Sequence, residues 1–174
     1  MCSDQDRQQN QRRRWKAHKT KKQTNSKHKA QTTTLQVITN TMGVLTVFLD
    51  RATNLADTDW IGKTDPYVRF ELKQDNWVRD QDYGYQVSST KSNDLNPVYG
   101  ETFTWNNIPD LHNMVLKVRV MDKDFGTRDD KVGNCTIKLD QLGLSSHFMN
   151  VDRVIDRNVF TANGMIHLKM AYAA

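Results

Sequence analysis

Short segments in which apolar and polar side chains alternate one by one constrain this chain more than any other feature. Successive side chains of a β-strand point to opposite faces of a sheet, so a period of two indicates half-buried strands. The clearest segments are residues 45–49, 67–72, 103–105, 116–120 and 166–172. Residues that favour turns separate them, among them Gly62, Pro97, Pro109, Gly126, Gly133 and Gly164. Only residues 140–146 look helical, and then for a turn or two. The sequence therefore predicts an all-β sandwich of antiparallel strands.

The first 40 residues differ in composition from the rest of the chain. They hold ten Lys and Arg against two Asp, with few apolar side chains. A segment of this kind cannot bury enough apolar surface to offset the entropy lost on folding. We predict a disordered basic arm over residues 1–40 and one domain over residues 41–174, a size that holds a single ordinary core.

The basic arm has three interpretations. It can hold the protein near anionic membranes, at about 1 kcal/mol per Lys or Arg close to the surface. It can bind nucleic acid non-specifically or, through residues 12–22, act as a nuclear address. It can also be a solvated tail.

We do not expect a secretory signal, since no apolar segment follows the basic one, and no apolar run is long enough to span a bilayer. Cys2 and Cys135 do not suggest a disulfide framework, so we expect a cytoplasmic setting.

Two groups of aspartates each follow a strongly patterned segment. Asp57, Asp59 and Asp65 form the first group, and Asp122, Asp124, Asp129 and Asp130 form the second. If the fold brings these strand ends together, five or more carboxylates share a small space, and a hard divalent cation relieves their repulsion. Calcium takes 6–8 oxygen ligands at about 2.3–2.6 Å. Neither loop contains Cys or His, which argues against zinc. For one such loop alone, the alternative to a calcium site is that its aspartates only form turns and lie solvated at the surface.

The spacing of Asp122 and Asp124 also begins like the loop of an EF-hand. That loop requires Gly at its sixth position and Glu at its twelfth. Counted from Asp122, those positions hold Thr127 and Gly133. We therefore exclude an EF-hand.

Three motifs, in the right order, resemble those of the C2 domain family. Asp59-x5-Asp65-Pro66-Tyr67-Val68 looks like the family's first calcium loop, and Asp122-x-Asp124-x5-Asp130 looks like its third. Residues 95–103 resemble its turn and fourth strand, with Tyr99 where Trp is usual and Gly100 where Asn is usual. The resemblance runs from about Gly43 to Tyr172 and implies an eight-stranded antiparallel β-sandwich. The strand order is similar to type II topology, as in the N-terminal domains of Nedd-type ubiquitin ligases.

The resemblance also implies a set of calcium ligands. These are the side chains of Asp59, Asp65, Asp122, Asp124 and Asp130, with the backbone carbonyls of Thr58 and Lys123. All five acidic positions of the family pattern are occupied. Asp57 and Asp129 are extra carboxylates, which we interpret as solvated charge, with a helper role as the alternative. Residues 73–85 are longer and more aromatic than a hairpin needs, and we assign them no role.

The implied mechanism is calcium-dependent docking onto anionic phospholipid. Without calcium, about five negative charges repel an anionic leaflet, and two ions nearly cancel that field. Trp60, Ile61 and Phe125 are apolar where a loop should be polar, so we predict that they contact the membrane. For Trp60, folding back over the sandwich rim is the alternative.

We thus expect a monomeric, non-enzymatic module of signalling or membrane trafficking, cytoplasmic and reversibly peripheral on membranes. The alternative is a calcium-independent protein-interaction domain whose arm binds anionic surfaces or nucleic acid, with nuclear localisation left open. A hydrolase finds no support, because the five His are dispersed and the strand pattern predicts no Ser/His/Asp arrangement.

Overall fold

The computed structural model describes residues 41–174 except 58–62, 77–79, 127 and 159–160, and the side chains of 157–158 and 161–163 also stay undescribed. The predicted basic arm, residues 1–40, lies outside the described residues. So do Thr58, Asp59, Trp60 and Ile61 of the first predicted loop. The division of the chain at residue 40 therefore stays a prediction.

Within the described ranges, the regular structure consists of eight strands and one short helix. The strands are β1 (Gly43–Thr53), β2 (Pro66–Gln74), β3 (Gln81–Val87), β4 (Val98–Ile108), β5 (Met114–Asp122), β6 (Asp130–Lys138), β7 (Met149–Asn158) and β8 (Thr161–Ala173). A single 3-10 turn, Leu139–Gln141, follows β6. All five alternating segments lie inside strands, and the predicted all-β, eight-stranded fold is confirmed. No helix in the described part of the chain is long and apolar enough to cross a bilayer.

The strands pair in the order β3-β2-β5-β6-β7-β8-β1-β4, and every neighbouring pair is antiparallel. One residue pair alone, Asn134 with Asp156, joins β6 to β7. The sheet therefore divides at that point into two four-stranded layers. The rings of Phe70 on β2 and Phe103 on β4 meet between the layers, with centroids 4.9 Å apart. This contact places the core between the two sheets of a sandwich.

The core is built by the alternation that the sequence displays. In β1, Leu45, Val47 and Leu49 are fully buried, whereas the residues between them are partly exposed. The same holds for Phe70 and Leu72 of β2. Burying each such side chain contributes about 1.5–3 kcal/mol. A slip of one residue would turn this whole set outward, so the core also fixes the register of the sheets.

The register places the two aspartate groups at one end of the sandwich. Pro66, which begins β2, pairs with Asp122, which ends β5. The loop from β1 to β2 and the loop from β5 to β6 therefore reach the same end. The opposite end holds the start of β1 and the end of β8, where Val44 pairs with Ala173.

Candidate metal centre

Asp65 and Asp122 link the first and third loops directly. The backbone N–H of Asp65 donates to Oδ1 of Asp122 at 2.7 Å, and the N–H of Lys123 donates back to the carbonyl of Asp65 at 3.0 Å. Asp122 is only 1% exposed. A carboxylate buried to this degree is costly unless it is hydrogen-bonded or paired with a cation. The bond from Asp65 fixes the direction of one of its oxygens.

The turn before β4 holds the carboxylate of Asp65. Oδ1 of Asp65 accepts the backbone N–H of Asn93 at 2.7 Å, and Oδ1 of Asn93 accepts the N–H of Lys63 at 3.1 Å. Asn93 has a φ of 54°, a conformation that Asn tolerates better than most residues. Sequence reasoning missed Asn93. The signal was present as an Asn in the turn-forming run Ser92-Asn93-Asp94.

The base of the first loop is held separately. Thr64 is fully buried, and its hydroxyl donates to the carbonyl of Ala56 at 3.1 Å. The N–H of Leu55 donates to the carbonyl of Leu95 at 3.0 Å. These bonds tie the two arms of the first loop to each other and to the turn before β4.

Asp130 and Asp124 complete the described part of the predicted ligand set. Asp130 begins β6 and lies opposite Asp122 in the β5–β6 pair. Residues directly opposed in an antiparallel pair share a face, with Cβ atoms about 4.5–5.5 Å apart. Asp124 follows two residues after β5 and is half-buried. The fold thus brings Asp65, Asp122 and Asp130 to one end and places Asp124 in the adjoining loop.

Asp129 is not the solvated charge that we expected. Its Oδ2 accepts the hydroxyl of Tyr67 at 2.8 Å, both of its oxygens accept Nζ of Lys123 at 3.1 Å, and its Oδ1 accepts the N–H of Asp124 at 3.3 Å. The bond from Tyr67, followed by that from Lys123, lowers the pKa of Asp129. Burial, followed by the bond to Asp129, raises the pKa of Tyr67 to about 12. Sequence reasoning did not foresee this cluster.

Phe125 is the described member of the predicted membrane contacts. It lies at the tip of the third loop, and its relative exposure of 106% means that its ring contacts little of the protein. An apolar ring held wholly in water is unfavourable. Trp60 and Ile61 lie outside the described residues, so their contacts with the membrane stay a prediction.

The donor chemistry of this end fits a hard cation. The described side chains offer carboxylate oxygens, and Lys123 adds a carbonyl, which is the ligand type that calcium and magnesium prefer. The hydrogen bonds to Asp65 and Asp122 do not disqualify them, since metal-ligating carboxylates are commonly hydrogen-bonded as well. Among the described residues, no group of three or more Asp, Glu, His or Cys is close enough to hold a metal ion. Asp59, the fifth predicted ligand, lies outside that part of the chain.

His167, on β8, bridges two other strands. Its Nδ1 lies 2.9 Å from Oδ1 of Asp152, and its Nε2 lies 3.1 Å from the hydroxyl oxygen of Thr53. Asp152 and His167 are opposed in the β7–β8 pair. The alternating pattern did not predict this contact. It joins β1, β7 and β8 beside a shallow cavity of about 290 Å³.

Comparison with known proteins shows the family to which this fold belongs. The model of the C2 domain family matches residues 43–152. That span is more than half of the chain, so the chain belongs to the C2 domain family. The resemblance to the Nedd-type domains stays a prediction.

Sequence relatives share only the domain. Synaptotagmin-9 of Homo sapiens is 35% identical over 101 residues, which cover 56% of this chain and 19% of that protein. Protein kinase C, eye isozyme, of Drosophila melanogaster is 32% identical over 98 residues, which cover 56% of this chain and 13% of that protein. The chain thus matches less than a fifth of the length of each.

Solved structures share the fold. The C2A domain of plant extended synaptotagmin 1 superposes with a TM-score of 0.64 at 21% identity, covering 75% of this chain and 94% of that one. Extended-synaptotagmin 2, C2A and C2B domains with calcium bound, gives 0.55 at 23% identity, covering 75% and 42%. Human GIVD cytosolic phospholipase A2 gives 0.61 at 18% identity, covering 76% and 16%. At these identities, the likeness concerns the fold.

Proposed function

We propose that this domain binds calcium at its aspartate end and, when loaded, docks onto anionic phospholipid membranes. The observation that carries the proposal is the pair of bonds between Asp65 and the Asp122–Lys123 segment, which joins the first and third loops. The proposed ligands are the side chains of Asp59, Asp65, Asp122, Asp124 and Asp130 and the carbonyls of Thr58 and Lys123. A calcium-bound structure of a domain with the same fold, from extended-synaptotagmin 2, supports this choice of ion.

The chain's own residues prepare the site. Asp122 is buried and accepts the N–H of Asp65, and Asp65 accepts the N–H of Asn93. These bonds are made by the chain's own groups and orient the carboxylates, so less ordering is left for binding. Bound calcium would neutralise the carboxylates and offer coordination positions to lipid phosphate.

The apolar tip of the third loop supplies the second half of the docking. Phe125 is fully exposed, and burying its ring in a membrane is worth about 1.5–3 kcal/mol. The loop's carboxylates oppose that insertion near an anionic leaflet until their charge is neutralised. Calcium therefore acts as the switch, and Phe125, with Trp60 and Ile61, acts as the anchor.

The remaining features of the proposal follow from this role. We place the domain in the cytoplasm as a monomeric, non-enzymatic module that associates reversibly with membranes, in signalling or trafficking. Synaptotagmin relatives support the trafficking assignment. The basic residues of segment 1–40 would strengthen attachment to anionic lipid.

The test is sedimentation with phosphatidylserine-containing vesicles, in calcium or in chelator, for the wild type and for Asp122→Asn/Asp124→Asn. We expect calcium to increase the sedimentation of the wild type, and the variant to sediment no more in calcium than in chelator. Asp140→Asn is the matched control, because Asp140 is exposed in the short helix that follows β6 at the opposite end. Equal sedimentation of both proteins in both conditions would contradict the proposal. Sedimentation of neither would favour calcium-independent docking to a protein.

A further inference from the structure

Asp129 receives hydrogen bonds from both sides of the aspartate end. Tyr67, on β2, donates its hydroxyl to Oδ2, and Lys123 donates Nζ to both oxygens. The backbone N–H of Asp124 donates to Oδ1. The donors come from the strand that follows the first loop and from the start of the third loop. Asp129 therefore connects the third loop to β2.

The bond from Asp124 also sets the direction of a proposed calcium ligand. The N–H of Asp124 and the carbonyl of Lys123 belong to one peptide unit. The described residues contain no cis peptide bond, so this unit is trans and its N–H and C=O point in opposite directions. When the N–H of Asp124 points at Asp129, the carbonyl of Lys123 must point away from it.

The same contacts engage both oxygens of Asp129 and pair its charge with an ammonium group. Its neighbour Asp130 belongs to the proposed ligand set, yet Asp129 has its oxygens engaged by Tyr67, Lys123 and Asp124. The ammonium of Lys123 also compensates its charge. Asp129 thus contributes order to the loop rather than a further charge to the ion.

We propose that Asp129 is a positioning residue, which directs the Lys123 carbonyl and the Asp124 backbone toward calcium before the ion binds. This inference rests on the calcium-binding function proposed above. Tyr67 and the side chain of Lys123 act through Asp129, since they hold its carboxylate in place.

Isothermal titration with calcium separates positioning from simple charge. Tyr67→Phe changes no charge, and Lys123→Met removes a positive one while keeping the carbonyl. Positioning predicts weaker calcium binding in both variants and in Asp129→Asn, on the order of tenfold for the last, because a bond to a charged group is lost. A pure charge effect predicts no change for Tyr67→Phe and tighter binding for Lys123→Met. That pair of results would overturn the inference. Asp140→Asn serves as the control and should bind like the wild type.

Amide hydrogen exchange in chelator provides a readout without calcium. The N–H of Asp124 should exchange slowly in the wild type and at least several-fold faster in Asp129→Asn and Tyr67→Phe. Equal exchange in all three would overturn the inference even if calcium binding is intact. Failure of the wild type to bind calcium would instead refute the proposed function and the role toward calcium, while exchange at Asp124 would still decide whether Asp129 orders the loop.

Discussion

The backbone N–H of Asp65 and the buried carboxylate of Asp122 are joined at 2.7 Å across 57 positions of sequence. Both groups belong to the chain itself, so the bond holds the first and third loops together directly. It lies beside the ladder pair of Pro66 and Asp122, where β2 begins and β5 ends. The geometry of the site is therefore tied to the stability of the sheet.

Replacing Asp122 should separate its role as acceptor from its charge. Asp122→Asn keeps an oxygen for the N–H of Asp65, and we expect it to change the free energy of unfolding in chelator by less than about 1 kcal/mol. Asp122→Ala leaves that N–H without its partner, at a cost of about 1–3 kcal/mol. Urea denaturation of both variants measures the difference. Equal destabilisation by Asn and Ala would show that the acceptor oxygen is unimportant.

Asn93 combines a left-handed backbone with a side-chain bond to the N–H of Lys63. Asn93→Ala loses the bond and puts at this positive φ a residue that tolerates the conformation less well than Asn, and we expect it to destabilise the domain by about 1–3 kcal/mol. Asn93→Gly loses the same bond but adopts the positive φ without strain. The glycine variant should therefore be the more stable of the two by about 1 kcal/mol in urea denaturation. The reverse order would contradict this account of the turn.

The ion pairs of Glu71 lead us to expect that the stability of the domain depends on pH. Its carboxylate accepts from Lys73 at 2.7 Å and Arg119 at 3.0 Å, and the bond from Lys73, aided by the charge of Arg119, lowers its pKa. A lowered pKa stabilises the folded state above the unfolded pKa, and this contribution is lost as the pH falls through the folded one.

We expect Glu71→Gln to be less stable than the wild type at pH 7 by about 0.5–1 kcal/mol. The two proteins should converge as the pH falls below the ordinary range of a glutamate pKa. Urea denaturation at several pH values measures this. A difference that stays constant down to pH 3 would mean that the ion pairs contribute nothing.

Phe125 should govern membrane affinity without affecting calcium affinity. We expect Phe125→Ala to weaken binding to phosphatidylserine vesicles in calcium by about tenfold or more, from the apolar burial that is lost. Calcium binding in the absence of lipid should not change. Phe148→Ala is the matched control, because Phe148 is also exposed, at 55%, but precedes β7 at the opposite end. Equal loss in both variants would argue against insertion of the third loop.

The sequence predicted those strands whose burial alternates. β1, β2 and β5 each bury one face in a shared core, which gives the strict period that makes them recognisable. β3 gives no such signal, because most of it is exposed. One of its aromatic residues, Tyr85, makes a tertiary contact instead, since its ring lies 3.9 Å from the Arg69 guanidinium.

The candidate site, like the strands, could be predicted from the sequence only in part. The aspartates that we propose as ligands lie close together along the chain within each loop, and for this reason their spacing can be recognised from sequence. The bond from Asn93 to Asp65 joins residues that are 28 positions apart in the sequence. The bond from Tyr67 to Asp129 joins residues that are 62 positions apart. No local pattern encodes such pairs, because they depend on how β2, the turn before β4 and the third loop meet in three dimensions.

The pair of Val44 and Ala173 lies at the end of the domain opposite the aspartate loops, so a label placed there can report how the domain is oriented on a membrane. Val44 lies nine residues before Thr53, the last residue of β1, and at about 3.3 Å per residue this separates the pair from the loop end by roughly 30 Å. A fluorophore attached at residue 173 would lie far from a quencher in the lipid if the domain stands upright on its loops. It would lie much closer if the domain rests on the flat of a sheet. One label thus distinguishes two orientations of the domain that sedimentation reports as the same bound state.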